Sequence, residues 1–499
     1  QSESGGITLD ATGAENHCSL LVIEPSPIQK NVLWTGSDDG LVHVTKDGGA
    51  NWKNVTPADM KEGIVNSIEV SPHDPATVYI TLMRYKSMDL KAYVYKTTDY
   101  GQSWTKLVNG FTDEHTFVRV VREDPVRKGL LYAGTETGLY ISLNDGQKWQ
   151  PFQLNLPVVP INDLVIQDND LVAATAGRSF WILDDLGALQ QWSKNEKNLT
   201  LFKPKDSYLI FGGSSDKPVP GWGSNPKSGV TFDYYLAKDV DSLELKLEVL
   251  ENNKVIRTIT STKPKEFKSW PGGPSKPQVL SAKKGYNRFT WNFRRASLPA
   301  VDKVFLFGSH DGSRVAPGDY TLRLSLENEQ VETNVKILPN PNIEASSADY
   351  QDQQLFLKEI EGMIAEIHES VNQMRSAKKQ LNAYAKLLEN NEKADTLVAR
   401  GETLLKRIDS WETNLIQPKQ KTFQDVINYN NQLNAELTYL KDFADTADPI
   451  ITEGARERLN DLKKDWSVYQ KERDDIITTE MSAYNDLYST LKIPALIID

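Results

Sequence analysis

Three short segments, residues 45–52, 97–104 and 142–149, share one spacing, Ser/Thr-x-Asp/Asn-x-Gly-x-x-Trp. The positions are Thr45, Asp47, Gly49 and Trp52, then Thr97, Asp99, Gly101 and Trp104, then Ser142, Asn144, Gly146 and Trp149. Each residue type answers a need of a hairpin turn. The Asp or Asn oxygen can bond the loop backbone, the Gly accepts φ > 0, and the Trp closes the bend by packing on the sheet below. A turn written three times organises a fold rather than a reaction.

Asp47, Asp99 and Asn144 stand 52 and 45 residues apart, near the ~40–50-residue period of four-stranded blades in radial repeat folds. The phase extends beyond the turn. An Asp/Pro or Ser/Pro corner (Glu24-Pro25-Ser26-Pro27, Ser71-Pro72-His73-Asp74-Pro75, Glu123-Asp124-Pro125) precedes each of the strands 32–36, 78–81 and 130–134. Residues 161–166, 170–175 and 180–183 extend the pattern to a fourth blade without the turn signature. A closed ring has about four to eight blades, and the resemblance of these residues to a known family implies a ring of more than four, so the expectation is an arc of about four blades that continues into further blades. The alternative is a compact ring of four.

These residues resemble the Asp-box (bacterial neuraminidase repeat) β-propellers. They are more closely similar to the large bacterial proteins related to the sortilin propeller that are often labelled glycosyl hydrolases, through stretches such as 33–42, 121–125 and 177–185. The resemblance implies a propeller, an immunoglobulin-like segment and a helical tail. It further implies an exported protein in an extracytoplasmic setting, secreted, periplasmic or cell-surface, in association with an outer-membrane complex. The missing blades would come from an N-terminal part of the same precursor or from another chain.

A chain of 499 residues holds two to four domains, and three are expected. Residues 1–193 form the blades. Residues 194–342 form a β-sandwich, because 230–236, 243–250 and 255–259 alternate with period two and 251–254 reads as a hairpin turn, with paired strands at 287–293 and 317–324. Residues 343–499 form an antiparallel helical bundle. There Phe356, Ile360, Met363, Ile367, Val371 and Met374 begin one apolar stripe, Leu397, Leu404, Ile408, Trp411 and Leu415 mark a second, and a third runs from Leu459 to Leu491.

A net charge of −11 with no concentrated Lys/Arg run argues against nucleic acid as the main partner. No stretch reaches the ~18–20 apolar residues of a membrane span. The single cysteine, Cys18, cannot form an intrachain disulfide and is expected as a small buried residue at the start of a strand.

No catalytic residue, cofactor site or metal site emerges. Asp38 and Asp39, Glu123 and Asp124, and Asp184 and Asp185 are expected to bond backbone amides at turns and corners. Glycoside hydrolysis would need two of them to face one another at ~5–9.5 Å. Arg84, Arg119, Arg122 and Arg178 do not form a placeable carboxylate-binding triad, Ser179 lacks a nucleophile elbow, and the six histidines include no ligand pair at helical spacing. Trp222 and Trp270, in Gly/Pro-rich loops, are candidates for stacking on a sugar or a protein surface. The functional expectation is a non-catalytic propeller subunit that binds a protein or peptide, or scaffolds an envelope assembly. The rival is a polysaccharide-acting glycoside hydrolase whose carboxylates are shared with blades outside this chain.

Overall fold

Short β-branched and aromatic runs, stopped by Pro corners and Gly turns, fold the beginning of the chain into antiparallel meanders. The computed structural model describes residues 18–111, 114–193, 198–211, 223–240, 243–264, 267–389 and 391–493. Two units separate by their contacts, Gln1–Ser193 and Lys194–Asp499.

In the first unit β1 (Leu20–Pro25), β2 (Leu33–Ser37), β3 (Val42–Thr45) and β4 (Lys53–Asn54) form one sheet in chain order. A second sheet holds β5 (Ile64–Val70), β6 (Val78–Met83), β7 (Val94–Thr97) and β8 (Thr105–Lys106). The third holds β9 (Val118–Glu123), β10 (Leu131–Thr135), β11 (Leu139–Ser142) and β12 (Gln150–Pro151). The fourth has three strands, β13 (Ile161–Gln167), β14 (Asp170–Thr175) and β15 (Phe180–Leu183), followed by the one-turn helix α1 (Gly187–Gln191).

The first strands of successive sheets are neighbours, β1 with β5, β5 with β9 and β9 with β13. Each gap between sheets is filled by its own core. Trp34, Val44 and Val65 pack in the first gap, Tyr79, Val118 and Trp149 in the second, and Tyr132, Leu164 and Leu171 in the third. Among the described residues the stack has an exposed apolar face at each end. Leu20, Leu21 and Ile23 on β1 are 58%, 53% and 60% exposed, and Val165, Phe180 and Ile182 of the fourth sheet are 48%, 73% and 60% exposed. Cys18 departs from expectation: it is exposed, because it precedes β1 at one of these ends.

In the second unit the strands that alternate with period two form two sheets that share one core. One is β16 (Leu199–Leu201), β18 (Val230–Leu236) and β21 (Gly285–Trp291). The other runs in the order β17 (Ser207–Tyr208), β23 (Glu329–Leu338), β22 (Gly318–Leu326), β19 (Leu245–Glu251) and β20 (Lys254–Thr260). Phe232, Tyr234, Trp291, Leu247 and Leu322 meet between them. The β19–β20 turn places Asn252 and Asn253 at φ 50° and 63°, the left-handed pair that a two-residue hairpin requires.

The helices are α2 (Ser347–Leu387), opened by a capping box between Ser346 and Asp349, α3 (Asp395–Leu415), α4 (Leu433–Ala444), α5 (Glu453–Asp475) and α6 (Ser482–Leu491). Their stripes converge on Ile360, Ile367, Ile408, Trp411, Leu437, Leu462 and Trp466, all buried, and Val301 and Val304 of the loop after β21 join the same core. Two features go beyond the three stripes read from the sequence. The twelve-residue α4 is too short to show a long stripe, and the last stripe is two helices joined through a π-turn, Ile476–Met481.

Candidate functional site

The three repeated turns carry one hydrogen-bond network. In the first, Thr45 Oγ1 donates to Asp47 Oδ1 at 2.7 Å, Gly49 N donates to Thr45 Oγ1 at 3.0 Å and Asn51 N donates to Asp47 Oδ1 at 2.9 Å. Thr97, Asp99, Gly101 and Ser103 repeat it at 2.7, 2.9 and 2.9 Å. Ser142, Asn144, Gly146 and Lys148 repeat it at 3.0, 2.9 and 3.0 Å. The backbone bends through two successive left-handed residues each time, Gly48–Gly49, Tyr100–Gly101 and Asp145–Gly146. Hydrogen bonds to the ionised form hold the carboxyls of Asp47 and Asp99 down at about 2.

The tryptophans differ, and the difference is positional. Trp104 Nε1 donates to the carbonyl of Val55 at 2.7 Å, and Trp149 Nε1 donates to that of Leu107 at 3.1 Å. Each acceptor lies three residues after the previous Trp, so Trp104 and Trp149 each lock their sheet to the sheet before it. A Cβ built on Gly101 would meet Val55 at 2.6 Å, and one on Gly146 would meet Leu107 at 2.5 Å, which marks the same close approach. Trp52 does not pack as the sequence led one to expect. It is 44% exposed, and it belongs to the first sheet described.

A second constellation joins the first strands. Glu24, Glu69 and Arg122 hold equivalent places, paired across their sheets with Trp34, Tyr79 and Tyr132. Arg122 Nη2 donates to Asp163 Oδ1 at 2.8 Å, its Nε to the Leu164 carbonyl at 2.8 Å and its Nη1 to Ser67 Oγ at 3.0 Å, and Glu69 Oε2 lies 3.4 Å from Nη1. Glu69 Oε1 also accepts from Glu123 N at 3.1 Å. Burial pushes the Glu69 carboxyl up to about 7 despite the opposing pull of Arg122, and burial also raises that of Glu24. Sequence reasoning considered Arg122 only as a possible carboxylate binder and did not select Glu24, Glu69 or Asp163. The available signal for Glu24 and Glu69 was the phase they share with Arg122, one place before the end of the first strand; Asp163, the third residue of β13, lies outside it.

Such a cluster can exchange a proton near neutrality. Its geometry resembles a clamp, since one guanidinium spans Glu69 and Asp163. The other acidic pairs bond backbone or neighbouring turns. Asp38 Oδ1 accepts from Ser19 N, Asp124 Oδ1 from Val126 N and Arg127 N, Glu123 Oε1 from Gly129 N and Asp185 Oδ1 from Gly187 N, all at 2.8–2.9 Å.

Trp270 is half-buried, its Nε1 donating to the Val304 carbonyl at 2.8 Å, with Gly273 so near the ring that a Cβ there would lie 2.5 Å from it. It is a wall of the second unit rather than a freely presented ring. Trp222 lies outside the described residues. Among the described residues no group of three or more His, Cys, Asp and Glu could hold a metal ion, and no helix is long and apolar enough to cross a membrane.

No family model matches the chain, and no curated protein matches it. Among solved structures it is similar to YCF48 bound to D1 peptide, at 19% identity over 36% of this chain and 53% of that one, with a TM-score of 0.27. It is similar to the Niastella koreensis GH74 enzyme at 13% identity, covering 64% of this chain and 54% of that one, with a TM-score of 0.28. The extracellular domain of BT4673 from B. thetaiotaomicron gives 11%, 66%, 38% and 0.26. The chain spans about half the length of the first structures it matches. At these TM-scores the likenesses carry no weight, and the functional reading rests on the sheets themselves.

Proposed function

We propose that this chain is a non-catalytic, protein-binding or scaffold subunit of an exported bacterial assembly. Its four sheets are an arc of Asp-box propeller blades completed by further blades from the same precursor or another chain. In this reading the immunoglobulin-like sandwich and the helical bundle serve as a docking arm, and a protein or peptide is the ligand. The observation that carries it is Trp52. Two of three equivalent tryptophans each find a carbonyl on the preceding sheet, and the third stands 44% exposed at the start of the series. The apolar outward face of Val165, Phe180 and Ile182 supports the same reading at the other end.

Cross-linking mass spectrometry on the natively purified protein tests it. Links are expected from Lys53, exposed next to Trp52, to a β-rich polypeptide that carries strand and corner repeats of this kind. A monomer with no such links at micromolar concentration would overturn the proposal.

One observation favours the glycoside hydrolase as a second reading: Glu69 has the raised carboxyl that a general acid needs. Under that reading Glu69→Gln abolishes polysaccharide turnover by the complete assembly. Under the scaffold reading there is no turnover to lose.

A further inference from the structure

The second unit contains a cavity of about 910 Å³, within the ~300–1,000 Å³ typical of small-ligand sites. Its wall is built by β20, by the segment before β21, by the loop after β21 and by α2, which contribute Arg257, Trp270, Asn292 and Asn372 among others. Arg257 is the most informative of these. Its Nη1 donates to the Arg295 carbonyl at 3.0 Å and to Ser297 Oγ at 3.3 Å, both uncharged, and its Nε is buried without a partner. Among the described residues none of its bonds reaches a carboxylate. Asp311 on the same wall attracts it and Arg294 repels it, but the half-buried guanidinium hydrogen-bonds no carboxylate, and an anion in the cavity would add charge-assisted hydrogen bonds to it.

The remaining wall gives the anion a body. The side-chain oxygen of Asn292 is buried without a hydrogen-bond partner and can accept from a hydroxyl, while Asp311 adds a further acceptor at the wall. Trp270 and Phe267 supply aromatic surface. Lys268 and Lys276 stand exposed at the rim, so together with Arg257 the cations outnumber Asp302 and Asp311 here, against a chain whose net charge is −11. Planar amide and carboxylate groups beside an aromatic wall suit a ring that carries several hydroxyls. An arginine whose Nε is buried without a hydrogen-bond partner selects the acidic member of that class.

We propose that this cavity binds an acidic saccharide, a uronate, with its carboxylate on Arg257, its hydroxyls on Asn292 and Asp311, and its ring against Trp270. The site is independent of the blades and of the scaffold reading given above.

Isothermal titration of the full chain with a galacturonate trisaccharide, a neutral glucose trisaccharide and inorganic phosphate tests the assignment. The acidic trisaccharide is expected to bind at least tenfold more tightly than either of the others, and Arg257→Gln to weaken it tenfold or more with its melting temperature recorded alongside. Where Arg257→Gln fails to fold, the rim variant Lys268→Gln/Lys276→Gln decides, with an expected two- to fivefold loss and a shallower salt dependence. No heat with the acidic trisaccharide at millimolar concentration overturns the proposal. So does equal affinity for the neutral sugar or for phosphate, a folded Arg257→Gln that binds as the parent does, or, in its place, a rim variant of unchanged affinity.

Discussion

Gly49 and Gly146 occupy the same place in their turns yet bear different loads. Both have left-handed backbones, φ 99° and 76°, but a Cβ on Gly146 would collide with Leu107 at 2.5 Å, while one on Gly49 would meet only its own Trp52 at 3.8 Å. Gly49→Ala is therefore expected to cost about 1 kcal/mol of backbone strain, and Gly146→Ala about 2–4 kcal/mol once overpacking is added. Denaturant titration of the two variants checks the difference. Asp47 and Asp99 should titrate near 2 by NMR, and their contribution to stability, fully present above the unfolded value near 4, should fade as pH drops through 2. His368 acts in the range above. Its Nδ1 donates to the Pro299 carbonyl at 2.7 Å and its Nε2 accepts from Asn434 at 3.1 Å, so the buried neutral ring is satisfied and a second proton would face a donor. Burial lowers it to about 4, and stability is expected to fall by roughly 3 kcal/mol as pH drops from about 6.5 to about 4. Nearby His310 is depressed in the same direction by burial, and His368→Gln should flatten much of this slope in thermal melts. The turn residues were legible because their chemistry is local. The Glu69–Arg122–Asp163 clamp was not, since its members meet only across sheets 41 to 53 residues apart.

Among the elements, the last helical stripe shows what a pattern holds and what it conceals. Its core-side positions step by three or four, or by two full turns of seven from Tyr469 to Ile476, except for a step of five from Ile476 to Met481, and that step is the π-turn Ile476–Met481 between α5 and α6. The extra residue keeps Ile476 and Tyr484 on the core side. Deleting Thr478 should therefore restore ordinary helix without turning α6, with a melting temperature within a few degrees of the parent. Deleting Lys464 inside α5 should rotate the rest of that helix by about 100° and lose the packing of Trp466, and circular dichroism melts would separate the two outcomes. α4 escaped notice for the opposite reason: twelve residues with Thr438 and Lys441 buried dilute its stripe. Lys441 Nζ is tied to the carbonyls of Ser309 and Asp311 at 2.9 and 2.7 Å, contacts that only the folded loop supplies.

For the whole molecule, the order of sheets and helices was readable because turn, corner and stripe recur in phase, whereas the exposed apolar faces of the first and fourth sheets became visible only in the structure. Phe180 and Ile182 share a strand with half-buried Trp181 and Leu183, an alternation that marks two faces without saying that one lacks cover. Phe180→Ser/Ile182→Ser is expected to leave the melting temperature nearly unchanged and to reduce self-association of the isolated chain in analytical ultracentrifugation. A drop of ten degrees would mean that these side chains support their own sheet.

The bond from each Trp to the preceding sheet couples neighbours only. A series joined in this way loosens from its extremities, and the second and third sheets, each flanked on both sides, are the last to open. Amide hydrogen exchange should therefore be slowest across residues 64–151 and faster toward residues 20–54 and 161–183, a gradient that would flatten once the extremities are capped.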